Sequence, residues 1–253
     1  MDRIKLIFID KSGQKPHKRV VFEQEKDSFH KIKAFAKPFL DWMVDIQKDG
    51  LEKVPAHGGC ILVGNHRSDM DPFIVASVVP RYISWIAAEY TQRIPVFKNL
   101  IRDTGVIPMQ INGNVSVASI KKTMSVLKNG EILGIFPEGH DYMVKNDFSG
   151  QMVKFHDGFA TFAVRGKVPI VPFVLIPIEE EIETIPVPSY VRGLFGLPDE
   201  VCKIPHRVVY KRVRICFCDP IRFEDFPDVP GKESILVHQV RERMEEKLSA
   251  FGM

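Results

Sequence analysis

The segment CILVGNHRSDMDPFIVASVV, residues 60–79, joins a short apolar run, a polar loop and a second apolar run. The four apolar residues at its start have the length of a buried strand. Proline at position 72, directly after Asp71, is typical of a first helical turn, and the apolar residues behind it predict a helix from Pro72 to Val79. Strand, polar loop and helix in this order are a unit of α/β layer folds.

The same alternation continues along the chain. Predicted strands lie at 81–88, 105–109, 131–136, 170–175 and 208–218, and predicted helices lie at 115–128, 151–165 and 232–251. A Pro- and Gly-bearing insertion at 177–200 separates the last two strands, and residues 1–27 predict a strand or an edge hairpin around the apolar run IKLIFI. We therefore expect an α/β fold with a mixed, largely buried β-sheet flanked by helices.

The composition fits one globular domain that covers residues 1–253. Hydrophobic residues are 45% and charged residues 26% of the chain, close to the averages of soluble proteins, which argues against disorder and coiled coils. The 35 Lys and Arg residues against 32 Asp and Glu leave a net charge of +3. Bulk charge therefore gives no reason to expect nucleic-acid binding.

Apolar runs in this sequence are short. The most apolar one, VPIVPFVLIPI at 168–178, has 11 residues and three prolines, whereas a membrane-spanning helix needs about 20 apolar residues. The first residues show no secretory signal pattern. Four cysteines without a disulfide framework fit a reducing compartment, so the expected location is cytoplasmic.

Metal and cofactor motifs are weak or absent in the sequence. Cys202, His206, Cys216 and Cys218 could be interpreted as a scattered metal set, but the CxxC pairs of structural zinc sites are missing. The run RVRICFC at 212–218 alternates like a strand, which explains its two cysteines without a metal. We expect neither a metal nor a cofactor.

An amphipathic helix is predicted at about 28–46. Apolar side chains recur at three- and four-residue steps from Phe29 to Ile46, with lysines between them. A basic face opposite aromatic side chains is typical of helices that lie on a membrane surface. A helix packed on its own core shows a similar pattern, so both interpretations stay open.

A second possible contact with anionic lipid is a run of cationic residues that begins just before the last predicted strand and continues into it. Its members are Lys203, His206, Arg207, Lys211, Arg212 and Arg214. Such a run can bind anionic lipid, the phosphate groups of a ligand or an acidic protein. It can equally protect a solvated sheet edge.

Two polar segments follow predicted buried strands, where ligands bind in sheets of this class. In the first, His66 and Asp71 lie five positions apart, a spacing that can bring an imidazole nitrogen against a carboxylate. A carboxylate in that position orients the histidine and stabilises the imidazolium that forms when it accepts a proton. Alternatively, Asp71 merely caps the following helix.

The second polar segment is Phe136-Pro137-Glu138-Gly139-His140. Its glycine lets backbone amides approach a ligand oxygen, and its carboxylate can orient a hydroxyl or a cation. By itself the segment could also be a simple turn.

Together the two segments resemble motifs of the glycerolipid acyltransferases of the lysophosphatidate (1-acylglycerol-3-phosphate) acyltransferase type. His66 and Asp71 match the HxxxxD motif, residues 136–139 match the FPEG motif, and VPIVP at 168–172 matches the fourth motif. Pro95 and Gly105 stand where the second motif has its proline and glycine. The resemblance covers about residues 51–221 and implies a glycerolipid-acyltransferase-like fold.

The resemblance implies transfer of a fatty acyl group from acyl-CoA or acyl carrier protein to a hydroxyl of a lysolipid or glycerol-derived acceptor. His66 would be the general base and Asp71 would orient it. Glu138 would position the acceptor, and the Gly139 region would supply backbone donors near the developing oxyanion. Such an enzyme would work peripherally on the cytosolic face of a membrane.

Three cations that this family places near the acceptor phosphate are missing. Ala88 and Ile111 stand at the lysine and arginine of the second motif, and Asp141 stands at the arginine of FPEGTR. Because Asp141 would repel a phosphate dianion, we expect an acceptor other than a phosphate monoester. Cations elsewhere could restore a phosphate site: His140, Arg93, Lys98, Arg102, Lys145 or Lys154. A non-catalytic lipid-binding protein and an acyl thioesterase are the alternative functions.

Overall fold

The computed structural model describes residues 18–93, 95–110, 116–139, 152–184 and 206–252. Helices and strands alternate along these residues. Their bounds are α1 Lys18–Met43, β1 Asp45–Asp49, β2 Cys60–Gly64, α2 Asp71–Val78, β3 Ile83–Ala88, α3 Pro95–Asp103, β4 Ile107–Met109, α4 Val117–Lys128, β5 Ile132–Ile135, α5 Gly158–Gly166, β6 Ile170–Thr184, β7 His206–Phe217 and α6 Lys232–Ser249.

The strands form one seven-stranded sheet in the order β1-β7-β6-β2-β5-β3-β4. Strand β2 lies between β6 and β5 and is parallel to both. Strands β6 and β7 pair antiparallel, whereas the remaining neighbours are parallel. The expected mixed α/β sheet is confirmed.

Helices cover both faces of the sheet. On one face, Ile61 and Val63 of β2 pack in a cluster with side chains of α4, α5 and α6. On the other face, Cys60 and Leu62 pack in a cluster with side chains of α1 and α2. Every residue of β2 is buried, which explains why its sequence is an uninterrupted apolar run rather than an alternating one.

Helix α1 differs from its prediction at both ends. It begins at Lys18 rather than near residue 28, so 18–27 are helical and not part of a strand or hairpin, while 1–17 lie outside the described residues. Long-range contacts hold this extra helix: Phe22 packs edge-on against Tyr82 at 5.9 Å between ring centroids, and Glu25 accepts from Lys122 at 2.7 Å.

The prediction is also wrong at the C-terminal end of the same helix, which was expected to reach residue 46 and ends at Met43. Residues 45–49 form β1 at the edge of the sheet, where Ile46 pairs with Val213 of β7. The local spacing of Ile46 fits a helix, but the free edge of β7 supplies backbone hydrogen bonds that only the folded sheet can offer.

Two further bounds were predicted wrongly. Strand β6 continues to Thr184, so the start of the expected 177–200 insertion is a strand that pairs with β7, while 185–200 lie outside the described residues. The helix expected from 151 begins at Gly158. Residues before it are held otherwise, because the backbone amides of Val153 and His156 bind Glu138 and Pro137.

Candidate active site

The two polar segments meet at the carboxyl ends of neighbouring strands. The His66 loop, residues 65–71, follows β2, and the FPEG loop, residues 136–139, follows β5. Because β2 and β5 are adjacent and parallel, their loops leave the same edge of the sheet side by side. The fold therefore brings together the two segments that the sequence singles out.

His66 and Asp71 form a hydrogen-bonded pair. The distance between His66 Nδ1 and Asp71 Oδ2 is 2.7 Å, and Asp71 is fully buried at the start of α2. The same oxygen accepts from the backbone amides of Arg67 at 2.7 Å and Ser68 at 2.8 Å. The carboxylate thus folds back onto its own loop and contacts the histidine, which goes beyond capping the helix.

The other carboxylate oxygen of Asp71 contacts β7. The hydroxyl of Tyr210 donates to Oδ1 at 2.9 Å, and the Tyr210 side chain is 1% exposed. Burial, together with the negative charge of Asp71, raises the pKa of the Tyr210 hydroxyl well above its usual value. Tyr210 therefore remains a proton donor to the carboxylate.

Glu138 joins the two loops. It is 3% exposed, and its Oε1 accepts from the backbone amide of His66 at 2.8 Å while Oε2 accepts from Val153 at 2.9 Å. Burial raises the pKa of Glu138, although the hydrogen bonds from His66 and Val153 oppose that shift. The carboxylate braces the site through the backbone; its expected contact with the acceptor stays a prediction.

Helix α6 supports this arrangement through the side chain of Arg241. The two terminal guanidinium nitrogens of Arg241 donate to the backbone carbonyls of Met152 and Val153, each at 2.8 Å. This holds in place the segment whose Val153 amide reaches Glu138.

Phe136 lies under the imidazole of His66. The two rings stack with centroids 4.2 Å apart and an interplanar angle of 19°. Trp85 of β3 also stacks on Phe136, with the two ring centroids 5.0 Å apart. Phe136 thus has one aromatic neighbour in each of two other elements, the imidazole in the His66 loop and Trp85 in β3.

The end of the FPEG loop is a tight turn. Gly139 has φ 58, in the left-handed region that glycine adopts without strain, and its amide donates to the carbonyl of Phe136 at 3.1 Å. Pro137 accepts from the amide of His156 at 2.8 Å. His140, which follows the turn, lies outside the described residues.

The polar side chains on either side of His66 bind the long strand β6. Asn65 accepts from the amide of Leu175 at 2.8 Å and donates to its carbonyl at 3.1 Å. Arg67 donates from Nε to Glu180 at 2.8 Å, and a second guanidinium nitrogen also pairs with this carboxylate. The positive charge of Arg67 is therefore compensated within the protein.

The expected cation positions and metal groups can be placed only in part. Ala88 is the last residue of β3, whereas Ile111 and Asp141 lie outside the described residues. Within the described part of the chain, no three His, Cys, Asp or Glu side chains are grouped closely enough to bind a metal ion. None of the helices in the described ranges is long and apolar enough to cross a membrane.

The cationic run on β7 makes contacts within the sheet. Arg212 pairs with Asp45 of β1 at 2.8 Å, Lys211 pairs with Glu181 of β6 at 3.3 Å, and Arg214 donates to Gln47. The interpretation of this run as a protected sheet edge is wrong, because β7 lies between β1 and β6. Its contact with lipid stays a prediction. Lys203 and the side chain of His206 lie outside the described residues.

Four residues of the site were not predicted from the sequence. They are Trp85, Glu180, Tyr210 and Arg241. Each lies on a strand or helix that is distant in sequence from the two motif loops, and each reaches the site only through the fold. A polar residue within an apolar strand, such as the tyrosine of VVYK at 208–211, is the one weak signal that the sequence offers.

Comparison with protein families gives a match over the site. The acyltransferase family model matches residues 45–176, just over half of the chain, and this range contains both motif loops. The chain belongs to the acyltransferase family.

Curated relatives refine this assignment. The chain is 30% identical over 153 residues to the 1-acyl-sn-glycerol-3-phosphate acyltransferase of Borreliella burgdorferi, and the match covers 58% of each chain. It is 27% identical over 143 residues to the enzyme of the same name from Helicobacter pylori, covering 55% of this chain and 59% of that one. The resemblance to the lysophosphatidate acyltransferase type is confirmed, and the low identities make this a divergent member.

A longer alignment is found with an uncharacterised protein of Mycobacterium tuberculosis. The two are 26% identical over 236 residues, which cover 83% of this chain and 62% of the mycobacterial protein. The chain thus spans about three fifths of the length of that relative.

The fold matches a solved acyltransferase structure. The crystal structure of the 1-acyl-sn-glycerophosphate acyltransferase PlsC from Thermotoga maritima superimposes with a TM-score of 0.61, covering 89% of this chain and 81% of that one. The two sequences are 22% identical. The glycerolipid-acyltransferase-like fold is confirmed.

Proposed function

We propose that this enzyme transfers a fatty acyl group from a thioester, acyl-CoA or acyl carrier protein, to a hydroxyl of a lysolipid or glycerol-derived acceptor. The observation that carries the proposal is the 2.7 Å contact between His66 Nδ1 and the buried Asp71 carboxylate. An ionised carboxylate only accepts hydrogen bonds, so Nδ1 carries the proton and Nε2 is the basic nitrogen. This is the tautomer that a general base requires.

The proposed reaction is a direct acyl transfer. His66 Nε2 takes the proton of the acceptor hydroxyl while the oxygen attacks the thioester carbonyl carbon. The tetrahedral intermediate then collapses, the carbon–sulfur bond breaks, and the imidazolium returns the proton to the leaving thiolate. Asp71 stabilises the imidazolium between these two steps. The chemistry requires neither a metal nor a cofactor.

An assay that follows both products tests this proposal against its alternatives. Purified protein is given acyl-CoA or acyl carrier protein, with and without a lysolipid, and both free thiol and acylated lipid are measured. The proposal expects thiol release in step with acylated lipid. Thiol release without an acceptor would instead indicate a thioesterase, and lipid binding without thiol release would indicate a non-catalytic protein.

We propose an acceptor that is not a phosphate monoester, for example a lysophospholipid diester or a lipid with a cationic head group. Ala88, Ile111 and Asp141 replace the cations expected near a phosphate. Arg67, beside the catalytic histidine, is already paired with Glu180. A positive head group would meet less repulsion here than a phosphate dianion. Clear preference for lysophosphatidate over such acceptors in the same assay would contradict the proposal.

We further propose that α1 binds the surface of a lipid bilayer on its cytosolic face. Phe35, Phe39 and Trp42 recur on one side of α1 and are 88%, 62% and 78% exposed. The opposite side of α1 is packed on the core through Phe29 and Leu40. The helix therefore packs on the core without using these aromatic side chains. An exposed apolar patch of this kind fits an interfacial helix.

A further inference from the structure

The β6–β7 hairpin holds the His66 loop at three points. Tyr210 donates to Asp71, the carbonyl of Val208 accepts from the hydroxyl of Ser68 at 2.7 Å, and Glu180 binds Arg67. Glu180 and Tyr210 are opposite each other in the antiparallel register. One pair of strands therefore supports the segment between the proposed base and its carboxylate.

The two oxygens of Asp71 are held in different ways. Oδ2 accepts from His66, Arg67 and Ser68, which are all in the same loop. Oδ1 accepts from Tyr210, 139 positions away. Loop contacts on one oxygen leave the carboxylate plane free to turn with the loop, whereas a donor on the second oxygen, from a strand of the sheet, fixes it relative to the core. A fully buried carboxylate also needs such a donor to remain ionised without a large desolvation cost.

We propose that Tyr210 is a positioning residue that fixes the ionised Asp71 carboxylate against His66, a role that rests on the proposed function of this pair. Tyr210 does not touch the substrate in this proposal. It acts through Asp71, which in turn sets the tautomer and orientation of the base.

The hydroxyl stabilises the resting state of the pair more than its protonated state. When His66 is neutral, the charge of Asp71 depends on its hydrogen-bond donors; when His66 is an imidazolium, that cation compensates the same charge. Removing the hydroxyl therefore favours protonation of the pair. The acid limb of the pH–rate profile should move to higher pH.

Other charged groups face the same pair and are unchanged by replacing Tyr210. On the hairpin side they are Arg67 and Glu180, and on the FPEG side the pair faces Glu138, which in turn feels the charge of Arg241. Because these groups keep their positions and charges in Tyr210→Phe, a shift of the acid limb reports on the lost hydroxyl.

Tyr82→Phe is a matched control. Tyr82 is also 1% exposed, and its hydroxyl donates to the backbone carbonyl of Thr104 at 3.1 Å, away from the His66 loop. Each variant loses one buried hydroxyl with its hydrogen bonds and keeps its ring. Acyl transfer is measured across pH for wild type and both variants, together with thermal unfolding.

Tyr210→Phe should lower kcat by about tenfold to a hundredfold, as expected for losing a hydrogen bond to a charged group, with KM for the thioester little changed. Its acid limb should move to higher pH. Tyr82→Phe should lower the unfolding temperature to a similar extent and keep the wild-type limb. A wild-type limb and kcat in Tyr210→Phe would overturn the proposal.

Two additions keep the outcome decisive. His66→Ala is measured in parallel: if it keeps the wild-type rate, the proposed function fails and the role of Tyr210 with it, whereas an inactive His66→Ala beside an unaffected Tyr210→Phe overturns the role of Tyr210 alone. If Tyr210→Phe does not fold, 3-fluorotyrosine at position 210 keeps the ring and is a stronger donor. It should move the acid limb to lower pH, and an unmoved limb would overturn the proposal.

Discussion

The site at the ends of β2 and β5 and the outer side of α1 are built in opposite ways. At the site, charged side chains are buried: Asp71 is 0% and Glu138 is 3% exposed. On α1, apolar side chains are exposed: Phe35 is 88% and Trp42 is 78% exposed. Each region reverses the usual distribution of polar and apolar groups between surface and core.

This reversal marks both regions as candidates for function. Burying a carboxylate and exposing an aromatic ring both cost stability when the free protein is considered alone. The buried carboxylates recover part of this cost through hydrogen bonds from His66, Tyr210 and the backbone. On α1, Phe39 and Trp42 contact each other with ring centroids 5.9 Å apart, and both stay exposed. The proposed lipid surface is the environment that would bury them.

Replacing His66, the proposed base, should have the largest effect on the site. His66→Ala should lower kcat for acyl transfer by about 100-fold to 10,000-fold, the range that a general base contributes. The side chain of His66 is 14% exposed, and in the variant Asp71 keeps its donors from Arg67, Ser68 and Tyr210, so the protein should stay folded. Steady-state assays and circular dichroism check both statements.

His238→Ala is the control for the loss of a histidine. His238 is exposed on α6, outside the site, and its variant should keep the wild-type rate. Equal rates for His66→Ala and wild type would show that the buried charge at this edge of the sheet serves the fold rather than catalysis.

Removing the exposed rings should have the next largest effect, on membrane binding. Phe35→Ser combined with Trp42→Ser should lower the partition of the protein onto vesicles by at least about tenfold, because burying one aromatic side chain is worth roughly 1.5–3 kcal/mol. Vesicles of phosphatidylcholine and phosphatidylglycerol in a sedimentation assay give this number. Both side chains are exposed, so the unfolding temperature should not fall.

Val117→Ser is the matched control for the two α1 changes. Val117 is 66% exposed on α4 and is not part of the α1 surface. If this variant lost as much vesicle binding as the double variant, or if the double variant lost none, α1 would not be the lipid-binding element. The contrast between the two regions would then concern stability alone.

The motif loops could be predicted from the sequence because each is continuous and follows an apolar run. The residues that hold them could not. Tyr210 reaches Asp71 across 139 positions and Glu180 reaches Arg67 across 113, and both contacts depend on the register of β6 and β7. No local sequence pattern encodes that register. The predicted strand at 170–175 also ended before Glu180, so this residue was not expected to pair with β7 at all.

The same reason explains the wrong bounds of α1. Its central part is amphipathic and was predicted, whereas its first ten residues are held by Tyr82 and Lys122, which are distant in sequence. The exposed rings at 35, 39 and 42 were part of the predicted apolar stripe, but the sequence could not show which members of that stripe face the core. Helical spacing predicts the apolar stripe, but only the packing of α1 on the core decides which of its side chains are buried and which are exposed.

The third test concerns the charge on Glu138, and its effect is the smallest. Burial raises the pKa of Glu138 above the usual value of 4.5, so the folded protein binds this proton more tightly than the unfolded chain does. The stability that this group contributes is therefore present below pH 4.5 and is lost as the pH rises through the folded-state pKa. Glu138→Gln cannot titrate and should lack this loss.

Urea unfolding of wild type and Glu138→Gln from about pH 4 to about pH 8 isolates the effect, because all other titrating groups are common to both proteins. The free energy of unfolding of the wild type should fall relative to that of the variant as pH rises. A difference that stays constant or grows would mean that the hydrogen bonds from His66 and Val153 outweigh burial. Glu138 would then be an ordinary structural brace, whereas the expected fall would mean that the site retains its charge at the expense of stability.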